Sequence, residues 1–102
     1  MAAAYLQRRG HVIVDRNWRT RAVEIDIVSE RQGRLYFSEV KYRRNYSYGV
    51  GSEYVTPGKV ERIRRGVQVY LGSEDRDVIA QVISVSGADF IIDGCVEIYF
   101  DE

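Results

Sequence analysis

Two runs of strand-like patterning joined by one turn constrain this chain more than any other feature. From Val23 to Val28 the residues alternate, with Val23, Ile25 and Ile27 on one face and Glu24, Asp26 and Val28 on the other. Successive side chains of a strand point to opposite faces, so this period predicts a half-buried strand. Glu30-Arg31-Gln32-Gly33-Arg34 reads as a turn, and Leu35 to Tyr42 is β-branched and aromatic with charge only toward its end. The two runs predict a β-hairpin.

The rest of the chain has to complete a sheet around that hairpin. Ala2 to Arg9 predicts a short helix with an Ala-Tyr-Leu apolar side, ended by Gly10, and His11 to Val14 predicts a strand. Asp15 to Arg21 reads as a polar, Arg-rich connection, and Asn45 to Ser52, with Tyr46, Tyr48 and two glycines but no period, as a loop. Thr56-Pro57 is a helix start, a hydroxyl cap followed by proline at the first helical position. Val60, Ile63, Val67 and Tyr70 or Leu71 follow at helical spacing, Gly72 ends the helix, and Lys59, Arg62, Arg64 and Arg65 fall on its other face. Asp77 to Val85, Phe90 to Ile92 and Cys95 to Phe100 predict strands, with turns at Gly87 and Asp93-Gly94. The order is α-β-β-β-α-β with extra C-terminal strands. It belongs to the α/β class, a mixed central sheet flanked by a helix on each side. At 102 residues the expectation is a single domain over residues 1–102.

Composition excludes several classes. With 45% hydrophobic and 29% charged residues the chain has ordinary globular usage, unlike disordered or fibrous sequences. No apolar run approaches the roughly 20 residues that cross a bilayer, so no membrane partner is expected. Met1 to Leu6 lacks the apolar stretch of a signal peptide, and the single cysteine, Cys95, rules out internal disulfides and multi-thiolate metal sites. A lone thiol suits a reducing compartment, so a cytoplasmic location is expected. Cys95 and the single histidine, His11, read as an ordinary core residue and an ordinary surface or hydrogen-bonded residue.

The net charge of zero conceals a division. Residues 1 to 65 hold 14 of the 15 Lys and Arg against 7 acids, and residues 66 to 102 hold only Arg76 against 8 acids. Thirteen of the 15 cations are Arg, whose planar fork matches phosphate oxygens. The pattern reads either as a front half that meets a polyanion or as a salt-bridged surface in which the acidic tail folds back on the basic front. Arg43 and Arg44 stand among Tyr42, Tyr46, Tyr48 and Tyr54, an interleaving that suits phosphate contact with base or sugar stacking, although some of these tyrosines could serve the core.

Three charged residues occupy positions where strands favour apolar ones: Asp26, Glu39 and Lys41. Glu39 and Lys41 are two apart on one strand and share a face, and a hairpin would set Asp26 across from them. Two close carboxylates raise each other's pKa unless a cation lies between them, and their hard oxygens suit Mg²⁺ or Mn²⁺. Lys41 could then hold or help deprotonate water and stabilise charge on a phosphoryl group, the chemistry of metal-assisted phosphodiester hydrolysis. Glu24 could add a ligand or accept a proton. Acid-x-Lys alone also reads as a cross-strand salt bridge; the combination of Glu24-Ile25-Asp26 with Glu39-Val40-Lys41 thirteen positions on is more specific.

The stretch from Asn17 to Leu71 resembles the YraN-like family of small bacterial proteins. The resemblance is carried by Glu24-Ile25-Asp26-Ile27-Val28, Phe37-Ser38-Glu39-Val40-Lys41-Tyr42-Arg43, Lys59 and Tyr70-Leu71, and extends to Arg76-Asp77-Val78-Ile79. It implies a restriction-endonuclease-like (PD-(D/E)xK) core, with Asp26 and Glu39 as metal ligands, the Val40 carbonyl completing the shell, and Lys41 as the catalytic cation. Members usually carry Gly and Val where this chain has Val23 and Ser38, and an acid on the first helix where this chain has none.

The expected function is a Mg²⁺- or Mn²⁺-dependent endonuclease that hydrolyses phosphodiester bonds in DNA, including branched or structured DNA. Arg16, Arg19, Arg21, Arg43, Arg44, Lys59 and Arg62 are expected to hold the nucleic-acid backbone, and a homodimer would allow both strands to be cut. The alternatives are a non-catalytic nucleic-acid-binding or assembly module of the same fold, and a protein-interaction domain that uses its charge division.

Overall fold

The computed structural model describes residues 1–43, 56–86 and 91–98. The elements run α1 (Ala2–Arg8), β1 (Val12–Arg19), β2 (Glu24–Arg31), β3 (Arg34–Arg43), α2 (Pro57–Leu71), β4 (Val78–Ser86) and β5 (Ile91–Ile98). Among the described residues five strands form one sheet, ordered β1-β2-β3-β4-β5. β3 and β4 are parallel, whereas the other neighbours are antiparallel. A parallel pair cannot be joined by a hairpin and needs a crossover, which here contains α2.

Each face of the sheet is covered by one helix. Ala2, Ala3 and Leu6 of α1 pack on Ile27 and Ile83, with Ile13, Val40 and Ile92 alongside. On the opposite face, Val67 of α2 packs with Ile25, Val28, Leu35 and Phe37, and Val60 and Ile63 extend the contact to Ala80, Val82 and Ile98. The apolar residues at helical spacing from Val60 to Leu71 therefore meet the strand residues selected by their period.

Local chemistry explains the boundaries. Thr56 Oγ1 accepts a hydrogen bond from the Lys59 N–H at 3.2 Å, and Pro57 occupies the first turn, where its missing donor has no cost. Gln32 (φ 52°) and Gly33 (φ 81°) form a two-residue turn between β2 and β3, with both residues in the positive-φ region that a type I′ hairpin requires. Arg76 anchors the start of β4 against this turn: its Nη2 donates to Glu30 Oε2 at 2.7 Å.

The structure departs from the sequence reading in four places. β1 continues through the expected Arg-rich connection as far as Arg19, pairing along β2 with a register shift between Ile13 and Asp15. As an edge strand it leaves one side to solvent, so charged residues are tolerated, and Asn17 takes the left-handed conformation (φ 51°) that asparagine accepts. The alternation of Val23 to Val28 also slips. Ile25 and Val28 both face α2 while Ile27 faces α1, which places the change of parity at Asp26. The two expected C-terminal strands are one, β5: Ser84 pairs with Gly94 and Val85 with Ile92, so Asp93 is an extra residue in the ladder rather than a turn. Finally, Cys95 is exposed on β5 rather than in the core, its thiol donating to Gln81 Oε1 at 3.3 Å.

His11 is buried, 2.9 Å from Ser29 Oγ and edge-on to Tyr36, as an ordinary hydrogen-bonded residue. No helix among the described residues is long and apolar enough to cross a membrane.

Phe37 is the largest fully buried side chain, 1% exposed, and touches Tyr70 edge-to-face. Urea unfolding of Phe37→Ala should show a loss of about 3–5 kcal/mol, whereas Thr56→Ala, which removes only the cap of α2, should lose about 1 kcal/mol.

Candidate functional site

The sequence places an acid at the point where the hairpin comes apart. β2 and β3 pair from Arg31 and Arg34 up to Ile27 and Ser38. Beyond that pair the ladder is taken over by a side chain: Asp26 Oδ2 accepts the Val40 N–H at 2.7 Å. A strand residue directs its N–H and its C=O to the same neighbour, so the Val40 carbonyl faces the same gap as Asp26.

The gap opens as a cleft of about 400 Å³ on the α2 side, lined by Thr20 to Glu24, Asp26, Glu39, Arg62 and Ile63. A smaller cavity of about 290 Å³ lies on the α1 side, and Arg16, Asn17, Asp26, Val40 and Tyr42 are among its walls. Asp26 belongs to both walls, so its carboxyl can be approached from either face of the sheet.

Three acids, Glu24, Asp26 and Glu39, line the larger cleft. Glu24 Oε2 lies 3.9 Å from Arg19 Nη1, and its charge acts on Asp26. Burial is the main reason that the Asp26 carboxyl is held above its ordinary value. The Val40 N–H pulls it back, the charge of Glu24 raises it, and Lys59 lowers it. Glu39 is ion-paired to Lys59, with Nζ 3.4 Å from Oε1, while its other oxygen, Oε2, is buried and has no hydrogen-bond partner among the described residues. Such an oxygen is costly to leave unmatched unless something is to bind it.

The structure thus brings Glu24, Asp26 and Glu39 together with Arg21 and Arg62 at the cleft wall. Lys41 follows Glu39 by two residues on β3 and shares its face by strand parity, beside Ser84 of β4 and beyond the residues that line the cleft. Arg16 and Arg19 are exposed on β1, with Arg16 on the α1-side cavity. Arg43 closes β3, and Arg44, Tyr46, Tyr48 and Tyr54 lie outside the described residues. Lys59, expected on an open helix face, is 7% exposed and directed at Glu39. Its pairing was not readable from the sequence, because it depends on the crossover that returns α2 over β3. Thr56-Pro57 gave the only local signal, by setting Lys59 in the first turn.

Among the described residues no group of three or more His, Cys, Asp or Glu side chains could hold a metal ion. The oxygens available for a cation are those of Asp26, the free Oε2 of Glu39 and the Val40 carbonyl. A donor set of two carboxylates is what Mg²⁺ commonly uses, with water and substrate phosphate filling the remaining positions.

The raised Asp26 carboxyl has a consequence for stability. Folded Asp26 binds its proton more tightly than unfolded Asp26, so its contribution is fully present below the ordinary value of 3.8 and is lost as pH rises through the raised one. Asp26→Asn keeps an acceptor for Val40 without the buried charge. In chelator, its melting temperature should match wild type near pH 4 and exceed it by a few degrees at pH 7, as followed by circular dichroism.

Residues 1–91 match the family described as "Uncharacterised protein family UPF0102". A UPF0102 protein of Syntrophomonas wolfei is 36% identical over 88 residues, covering 83% of this chain and 76% of that protein. One from Vibrio campbellii is 37% identical over 76 residues, 74% of this chain and 62% of its own length. One from Clostridium novyi is 42% identical over 67 residues, 66% of this chain and 56% of its own. The chain therefore spans little more than half the length of some relatives and three quarters of another. The match reaches from α1 to the first residue of β5 and takes in Glu24, Asp26, Glu39, Lys41 and Lys59, and by it this chain belongs to the UPF0102, or YraN-like, family.

Proposed function

We propose that this protein is a Mg²⁺- or Mn²⁺-dependent endonuclease acting on DNA, built on a restriction-endonuclease-like core. The observation that carries the reading is the breach between β2 and β3, where Asp26 takes the Val40 N–H, and the cleft beside it, which Asp26 lines together with Glu39, a residue whose Oε2 is unpartnered among the described residues.

Asp26 and Glu39 are the residues that would hold the cation, which supplies positive charge to a phosphoryl oxygen and so favours attack at phosphorus. Arg21 and Arg62, at the cleft wall, fit phosphate oxygens as bidentate donors. Glu24, half in solvent and on the same cleft wall as Asp26, is placed to take the proton of the attacking water. Water oxygen bonds to phosphorus, the opposite P–O bond breaks, and the departing sugar oxygen carries away the electron pair and acquires a proton from solvent. Lys41 stabilises charge as it accumulates on the phosphoryl group. Arg16, Arg19, Arg43 and Arg44 complete the cationic front half, whereas Lys59, buried against Glu39, does not face the nucleic acid. A homodimer would present two such clefts to a duplex or junction.

Purified protein incubated with single-stranded, duplex and branched DNA in Mg²⁺ or Mn²⁺ should cut at least one substrate, and chelator should stop it. Lys41→Ala and Glu39→Gln should each reduce the cleavage rate by about 100-fold or more. Salt-dependent DNA binding with no cleavage under any of these conditions would instead identify a binding or assembly module.

A further inference from the structure

One cation beside the cleft takes a place other than the one the sequence reading gave it. Lys59 lies in the first turn of α2, its N–H bound by the Thr56 cap, and its side chain is 8% exposed. A lysine so deeply buried gives up most of its hydration, which is tolerated only beside a compensating negative charge. That charge is Glu39, and the ammonium occupies Oε1 while Oε2 stays free. The influence of Lys59 also extends to Asp26.

Without Lys59, Glu39 would lose its cation partner in a cleft that it lines with Asp26 and Glu24. With it, Glu39 is held in a single orientation that reserves one oxygen.

We propose that Lys59 is a positioning residue and built-in counter-ion of the acidic cleft. Its ammonium compensates Glu39 through Oε1 and leaves Oε2 unpaired, so that an entering divalent cation meets a charge already partly neutralised. This inference rests on the proposed metal-dependent function, because it assigns Oε2 to a cation. It sets a trade: Lys59 weakens the cleft's intrinsic affinity for the ion and in return keeps the cleft folded and ordered without it.

The experiment combines a double-mutant cycle with Mn²⁺ titration. In chelator, Lys59→Met should lower the melting temperature, and the double variant Lys59→Met/Glu39→Gln should recover most of that loss. In Mn²⁺ titrations followed by electron paramagnetic resonance, Lys59→Met should bind the ion roughly tenfold more tightly than wild type, since a like charge has been removed. Lys59→Arg, which retains the charge, should bind Mn²⁺ close to wild type. A merely structural lysine would change stability but leave the order of Mn²⁺ affinities unaltered. If Lys59→Met is folded by circular dichroism and binds Mn²⁺ no more tightly than wild type, or if the cycle shows no coupling with Glu39, the inference is overturned while the metal site stands. If the cycle shows coupling but neither protein binds Mn²⁺, the metal-dependent reading fails and the counter-ion role falls with it.

Discussion

The hydrogen bond from the Val40 N–H to the Asp26 carboxylate is the contact on which the site depends. Two antiparallel strands ordinarily satisfy each other's backbone groups along their whole shared length. Here β2 leaves β3 after Ile27 and Ser38, and an aspartate side chain takes over the donor that would otherwise be orphaned. The substitution has three results at once. It opens a gap in the middle of the sheet, it commits the Val40 carbonyl to that gap, and it draws a carboxyl group out of water. It also marks the change of parity in β2, since Ile25 and Val28 pack toward α2 while the intervening Ile27 packs toward α1.

Around this breach the charges are arranged by depth. The acids Asp26 and Glu39 lie inside, Lys59 is buried beside Glu39, and Arg21 and Arg62 stand at the wall. Buried charges of one sign are tolerable only with a compensating partner, and exposed pairs such as Arg19 with Glu24 add little to stability. The division of charge along the chain is thus only part of the account. Arg76 does bridge the halves through Glu30, as a salt-bridged surface would. The cations nearest the cleft, however, come from the β1–β2 connection and from α2, both in the basic front.

Much of this was legible in the residues. Thr56-Pro57 and Gly72 bounded α2, because capping and the fixed φ of proline act over one turn and need no tertiary partner. Gln32-Gly33 set the hairpin for the same reason, and the order of helices and strands followed from period. The length of β1 was not legible. Asp15, Arg16 and Asn17 look like a connection until the neighbouring strand is known to leave one side of β1 in solvent. Nor was the continuity of β5, where Asp93-Gly94 carries a turn signal that the ladder absorbs as one extra residue.

By itself the sequence determined which side chains could do chemistry: an aspartate in an alternating strand, and Glu39-Val40-Lys41 on its partner. Residue type and spacing are local properties, and they sufficed to name Asp26 and Glu39. Only the tertiary structure decided which atoms of those residues are free. Asp26 Oδ2 is committed to the backbone and Glu39 Oε1 to Lys59, whereas Glu39 Oε2 is left unmatched. Those commitments depend on where β2 diverges from β3 and on how α2 returns across the sheet, distances set by packing between segments far apart in the chain.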